Sequence, residues 1–182
     1  LTAGFTAHAA APMVKKAAPG YYRMMLGDFE ITVLNDGINA LPVNKLLTNI
    51  TPEQVDAALA RQSLKSPLET SVNTFLVNTG SKLVLIDTGA SGLFGPTLGK
   101  LLVNLKAAGY QPEQVDEVYI THIHGDHILE LDRLLEKTGA KAYVSAREPL
   151  DGATPFADGH SFHIGNLKVE TRRTSGHARG GV

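Results

Sequence analysis

The sequence predicts an α/β fold with sheet and helices in separate layers and its polar chemistry gathered at strand ends. Three observations predict it. The apolar runs on either side of Thr79-Gly80-Ser81 read as two strands, over 73–78 and 82–87. The stretch from Val115 to Ser145 reads as strand, amphipathic helix and strand. With 43% apolar and 19% charged residues, the 182-residue chain is long enough to bury a substantial core as one domain.

Along the chain, the opening segment LTAGFTAHA is small and apolar and contains Ala7-His8-Ala9, an A-x-A pattern of the kind a signal peptidase cleaves. Residues 1–20 are therefore read as a signal-peptide remnant and flexible N-terminus, residues 21–182 as the folded domain, and the location as periplasmic or secreted. His8 falls in the remnant and is not expected to bind metal. In DFEITVLND, Phe29, Ile31 and Val33 alternate with polar neighbours, as in a half-buried strand. Thr51, Pro52 and Gln54 form the start signal of a capped helix. Leu98, Leu101, Leu102 and Leu105 recur at helical spacing within 96–108, and Gly109 can close that helix. VDEVYITH is read as a strand running into HILELDRLLEKTG, an amphipathic helix ending at Gly139, with AKAYVS as the next strand. SFHIGNLKVETRR is a hairpin turning at Gly165-Asn166, and TSGHARGG is a Gly-rich loop.

Composition narrows the function classes. A formal net charge of -1 and the lack of a Lys/Arg run argue against nucleic acid as a partner. No apolar run is long enough to span a bilayer. Cysteine is absent, so any metal must be held by nitrogen and oxygen.

Three of the chain's 7 histidines stand in one short stretch, with His122, His124, Asp126 and His127 together. At a strand end, residues two apart project to one face, so His122 and His124 can converge. A tight turn at Gly125 would present Asp126 and His127 from the other side. Two offset ligand pairs are what a dinuclear site requires, and zinc, manganese and ferrous iron all accept imidazole and carboxylate. His177, after Gly176, can swing towards the same point. Asp87 ends an apolar strand and is read either as a carboxylate that orients a ligating histidine or as a turn-initiating residue before Thr88-Gly89. His160 and His163 in the hairpin are read as solvated.

THIHGDH, with VLIDTG upstream and TSGH downstream, resembles the metallo-β-lactamase-fold hydrolase superfamily from about Tyr21 to Val182. Residues before the motif, including PGYYRMMLGDFEIT and LVNTGSKLVLIDTGASGLFGP, resemble the methyl parathion hydrolases, which are secreted or periplasmic dizinc phosphotriesterases. After the motif, where HGDHILE replaces the usual HPDHVGG, the likeness turns towards the glyoxalase II and persulfide dioxygenase branches.

The resemblance implies an αββα sandwich, of which this chain is expected to carry the N-terminal half plus the His177 loop. It implies His122, His124 and His177 as ligands of one metal, Asp126 and His127 as ligands of a second, and Asp126 also as a catalytic residue. Asp87 matches a structurally important acid of the fold, and Phe94 an aromatic that lines a leaving-group pocket. The family's bridging Asp and last His would lie beyond Val182. The implied cofactor is Zn2+, two ions where the bridging ligand is supplied, with Fe2+ or Mn2+ as alternatives. The implied reaction is attack of metal-activated hydroxide on a small-molecule ester, phosphotriesterase-like. Alternatives are a lactonase, a glyoxalase II-type thioesterase, an iron persulfide dioxygenase, or an inactive metal-binding half-domain or hybrid fragment. A homodimer is also compatible with the sequence.

Overall fold

A computed structural model describes residues 11–182. The signal-remnant reading and His8 lie outside the described residues. Seven strands form one sheet in sequence order: β1 Tyr21–Leu26, β2 Phe29–Leu41, β3 Leu68–Asn78, β4 Leu83–Ile86, β5 Glu117–Tyr119, β6 Lys141–Ser145 and β7 Ala153–Phe156. The first four pair antiparallel, β1 with β2 and β3 with β4 through short turns and β2 with β3 across a longer, helical connection. From β4 to β7 the pairing is parallel, and crossovers carry the helices. The short helix α1 Val43–Leu46 and α2 Pro52–Ala60 lie between β2 and β3, α3 Leu101–Ala107 between β4 and β5, and α4 Gly125–Ile128 and α5 Leu131–Thr138 between β5 and β6. A separate hairpin, β8 Ser161–Ile164 with β9 Leu167–Glu170, follows the sheet.

The sheet has two unequal faces. Leu34, Leu76, Leu85, Val118 and Val144 point to the helix side and pack on Leu101, Leu105, Leu131 and Leu134. Val77 and Val84 point the other way and pack with Ile164 of the hairpin, flanked by Phe29, Ile31, Tyr119 and Phe162. Tyr119 stacks between Tyr143 and Phe162, with ring centroids 4.8 and 4.3 Å away. This explains why β4 reads as an unbroken apolar run: both of its faces are covered. Among the described residues, no helix is long and apolar enough to cross a membrane.

Several elements differ from the sequence reading. In β2 the fully buried parity is Thr32, Leu34 and Asp36, whereas Phe29, Ile31 and Val33 are only partly buried. The reason is the two-faced sheet, where the helix side is the drier one. The helix expected over 96–108 begins only at Leu101, because Gly99 takes a left-handed φ of 77°. The strand expected over 82–87 ends at Ile86, since Asp87 has a φ of 61°. The long helix after the histidines is two helices, broken where buried Glu130 turns its carboxylate to Ser91 Oγ at 2.6 Å. The capping box at Thr51/Gln54 and the left-handed cap at Gly139 are present as expected. β1, β7 and α1 had no clear sequence signal.

Asp36 fastens the loop that follows β4. Its carboxylate is fully buried and accepts from the backbone N–H of Ala90 and of Leu101, both at 2.9 Å, while its own carbonyl accepts from Lys100 N at 3.0 Å. Replacing it leaves two donors stranded in the interior. Asp36→Ala is expected to lower the unfolding free energy by roughly 2–6 kcal/mol, read as a shifted urea midpoint at unchanged slope.

Candidate metal centre

β5 ends at Tyr119, three residues short of the first site histidine. The chain stays extended past the strand: Ile120 N donates to Tyr143 O at 2.9 Å, and Thr121 N to Asp87 Oδ1 at 2.8 Å. His122 and His124 thus converge from an extended loop rather than from the strand itself. His124 is the N-cap residue of α4, so Asp126 and His127 arise from one helical turn and not from a tight turn at Gly125. That turn is held to the end of β4, where Thr88 donates to His127 O through both its N–H, at 2.7 Å, and its hydroxyl, at 2.9 Å.

His177 arrives on a closed loop. Thr174 N donates to Gly181 O at 2.8 Å, and Val182 N to Thr121 O at 3.1 Å, which ties the loop to the residue beside His122. Glu148, just after β6, accepts from Arg179 N at 2.8 Å and from Ile123 N at 3.4 Å, so one carboxylate spans both histidine-bearing segments.

These constraints bring three imidazoles edge to edge. His177 Nε2 lies 2.9 Å from His124 Nδ1 and 3.2 Å from His122 Nε2, and the ring planes cross at 74–86°. The ligand atoms of His122, His124 and His177 all fall within 4.8 Å of one another. A ring nitrogen carries one proton or one lone pair, so His177 Nε2 satisfies one neighbour at most. A cation between the rings takes a lone pair from each. Tetrahedral zinc with bonds near 2.0–2.1 Å places its nitrogens about 3.3 Å apart, close to the two spacings that involve His177. The donor set fits such an ion.

At His127 and His122 the hydrogen-bond partners favour a proton on the outer nitrogen. Asp87 accepts from His127 Nδ1 at 2.8 Å, which leaves His127 Nε2 with its lone pair facing the site. The Thr121 hydroxyl has one proton and two Asp87 oxygens within 3.0 Å, so its oxygen accepts from His122 Nδ1 at 3.1 Å. His122 Nε2 is likewise freed as a donor to metal. Of the two readings of Asp87, the carboxylate contacts on His127 and Thr121 correspond to the one that orients histidines. Burial, followed by the neighbouring imidazoles, pushes the His122 pKa down and keeps the ring neutral. At His127 burial acts in the same direction, but the hydrogen bond and charge of Asp87, with Asp126 beside it, outweigh it and the pKa rises.

Asp126 stands apart from the three-histidine cluster. Its Oδ2 is 3.7 Å from His127 Nε2, and the His127 ring centroid is 3.9 Å from that of His122. Asp126 and His127 form one wall of a cleft of about 350 Å³ whose other walls include Leu41, Val72, Phe75 and Phe94. Phe94 is 45% exposed and lines this cleft instead of packing into the core. His160 and His163 are exposed and lie outside the cluster, as expected. Sequence reading missed Thr121, Glu148 and Asp36. Asp36 alone had a local signal, a carboxylate in the middle of an apolar strand.

The model of the metallo-beta-lactamase superfamily matches residues 68–180. The chain belongs to this superfamily. A hydrolase of the beta-lactamase superfamily, AbOPH, is 44% identical with a TM-score of 0.67, over 73% of this chain and 47% of that one. The dizinc quorum-quenching lactonase AidC is 25% identical with a TM-score of 0.60, over 71% and 46%. A hydroxyacylglutathione hydrolase of Jannaschia sp. (strain CCS1) is 37% identical over 81 residues, 42% of this chain and 31% of that protein. The chain thus spans about half the length of these two solved structures and less of the curated relative.

The network separates the contributions of its members. Asp87→Asn keeps the size and tolerates the left-handed backbone but loses the charge, and is expected to weaken zinc binding about 10–100-fold. Thr121→Val, which removes the hydroxyl between Asp87 and His122 but leaves the Asp87–His127 bond, is expected to cost less. Competition titration against a zinc chelator reads both.

Proposed function

We propose that the chain is the metal-binding part of a hydrolase acting on small-molecule esters, with aryl phosphotriesters as the favoured class. The observation that carries this reading is the juxtaposition of a three-histidine cluster with an apolar, aromatic cleft, joined by Asp126 and His127. His122, His124 and His177 would hold one divalent ion, and Asp126 with His127 would contribute to a second. Bound there, such an ion lowers the pKa of water towards about 7 and polarises the phosphoryl or carbonyl oxygen.

The chain's own groups supply the remainder. Asp126, half-exposed on the cleft wall, can accept a hydrogen bond from the attacking water and orient it. Asp87 and Thr121 keep the protons of His127 and His122 on their outer nitrogens, so that lone pairs face the substrate side. Phe94 and Phe75 offer an apolar surface for an aryl group, which leaves readily without a separate general acid. The similarity to AbOPH, described as a hydrolase, supports hydrolysis as the reaction class.

A second reading, thioester or lactone hydrolysis, is favoured by the similarity to the hydroxyacylglutathione hydrolase and to the lactonase AidC. A panel of aryl phosphotriester, lactone and glutathione thioester substrates separates the two. The expected outcome is highest turnover on the triester, abolished in His122→Ala. Faster thioester turnover would transfer the assignment to the second reading. Phe94→Ala is expected to raise KM for the aryl triester about tenfold, the equivalent of roughly 1.4 kcal/mol of aromatic contact.

A further inference from the structure

A surface cavity of about 380 Å³ is lined by Arg147, Arg173 and Arg179, the last of them on the loop that carries His177. The three arginines come from separate segments: the turn after β6, the stretch after β9, and the loop that carries His177. Among the described residues, the ion pairs of Arg23, Arg133 and Arg172 to glutamates have no counterpart at these three guanidinium groups. The nearby carboxylates are spent on backbone. Glu148 accepts from Arg179 N and Ile123 N, and Asp158 Oδ1 accepts from Arg173 N at 3.1 Å. The effect is to draw the backbone of the arginine segments together without a direct ion pair to the three guanidinium groups among the described residues.

We propose that this cavity is an anion-binding pocket that takes a carboxylate or phosphate group, placed so that a ligand held there reaches the metal centre. Guanidinium groups present paired N–H donors that match the oxygens of either group, and three of them on one cavity repel each other until an anion enters. The link to the histidine cluster is short in covalent terms. Arg179 is two residues from His177, and Glu148, next to Arg147, holds the backbone between His122 and His124. Gly180 seats the loop tightly, since a Cβ there would lie 3.0 Å from Ser145 Oγ and 3.1 Å from Glu148 Cγ. The role as a substrate subsite rests on the hydrolase reading, whereas binding of the anion itself does not.

The test is isothermal titration of the purified protein with inorganic phosphate and, separately, with succinate, at low and high sodium chloride. At least one anion is expected to bind saturably, more weakly at high salt, with affinity reduced about tenfold or more in Arg179→Gln and in Arg147→Gln. The tighter anion identifies the group that is recognised. Both substitutions are at exposed positions, and circular dichroism confirms that the fold is kept. Absence of saturable binding overturns the proposal, as does equal affinity in the arginine variants, which would put the anion on the metal centre instead. Binding needs no turnover, so an inactive protein that still binds anion through these arginines would contradict the hydrolase reading and leave the pocket standing.

Discussion

The Asp87 carboxylate joins parts of the chain that lie far apart in sequence. It sits at the end of β4 in a left-handed conformation and accepts from His127 Nδ1, Thr121 N and the Thr121 hydroxyl. Through His127 it fixes the helical turn that follows the motif, and through Thr121 it fixes the rotamer and tautomer of His122. A buried carboxylate is costly unless its oxygens are satisfied, and here the groups that satisfy it are those a metal centre needs held still. The strained backbone at Asp87 is consistent with that role.

The sheet explains why the site lies where it does. Parallel pairing from β4 to β6 brings the C-terminal ends of three strands to one edge, and the loops leaving them carry Asp87, the histidine motif and Glu148. The His177 loop closes over that edge by donating from Val182 to Thr121 O. On one side the cleft with Phe75 and Phe94 offers apolar surface, and the arginine cavity, lined in part by the His177 loop, offers positive charge.

Much of this was legible in the sequence, for reasons that differ by element. The α/β order, the helix start at Thr51 and the helix stop at Gly139 follow from local chemistry that acts within a few residues. The grouping of His122, His124, Asp126, His127 and His177 came from motif spacing and family likeness together. The parity of β2 was not legible, because alternation shows that a strand has two different faces without saying which one meets the helices. The long helix splits at Glu130, whose carboxylate is engaged by Ser91, 39 residues away, and periodicity cannot see such a partner. Thr121, Glu148 and the three arginines were invisible for the same reason. Thr121 and Glu148 act through pairings across 25 to 34 residues, and a run-based search for basic patches passes over arginines that are not consecutive.

Asp87, acting through Thr121, holds His122 so that it converges with His124 and His177 on one metal-binding point. X-ray absorption at the zinc edge of the purified protein tests it most directly. The expected spectrum has nitrogen and oxygen scatterers at about 2.0–2.1 Å, with outer-shell scattering from three or more imidazoles that falls by one ring in His177→Ala. A protein that binds no metal, or a spectrum without imidazole scattering or unchanged by His177→Ala, would contradict this arrangement.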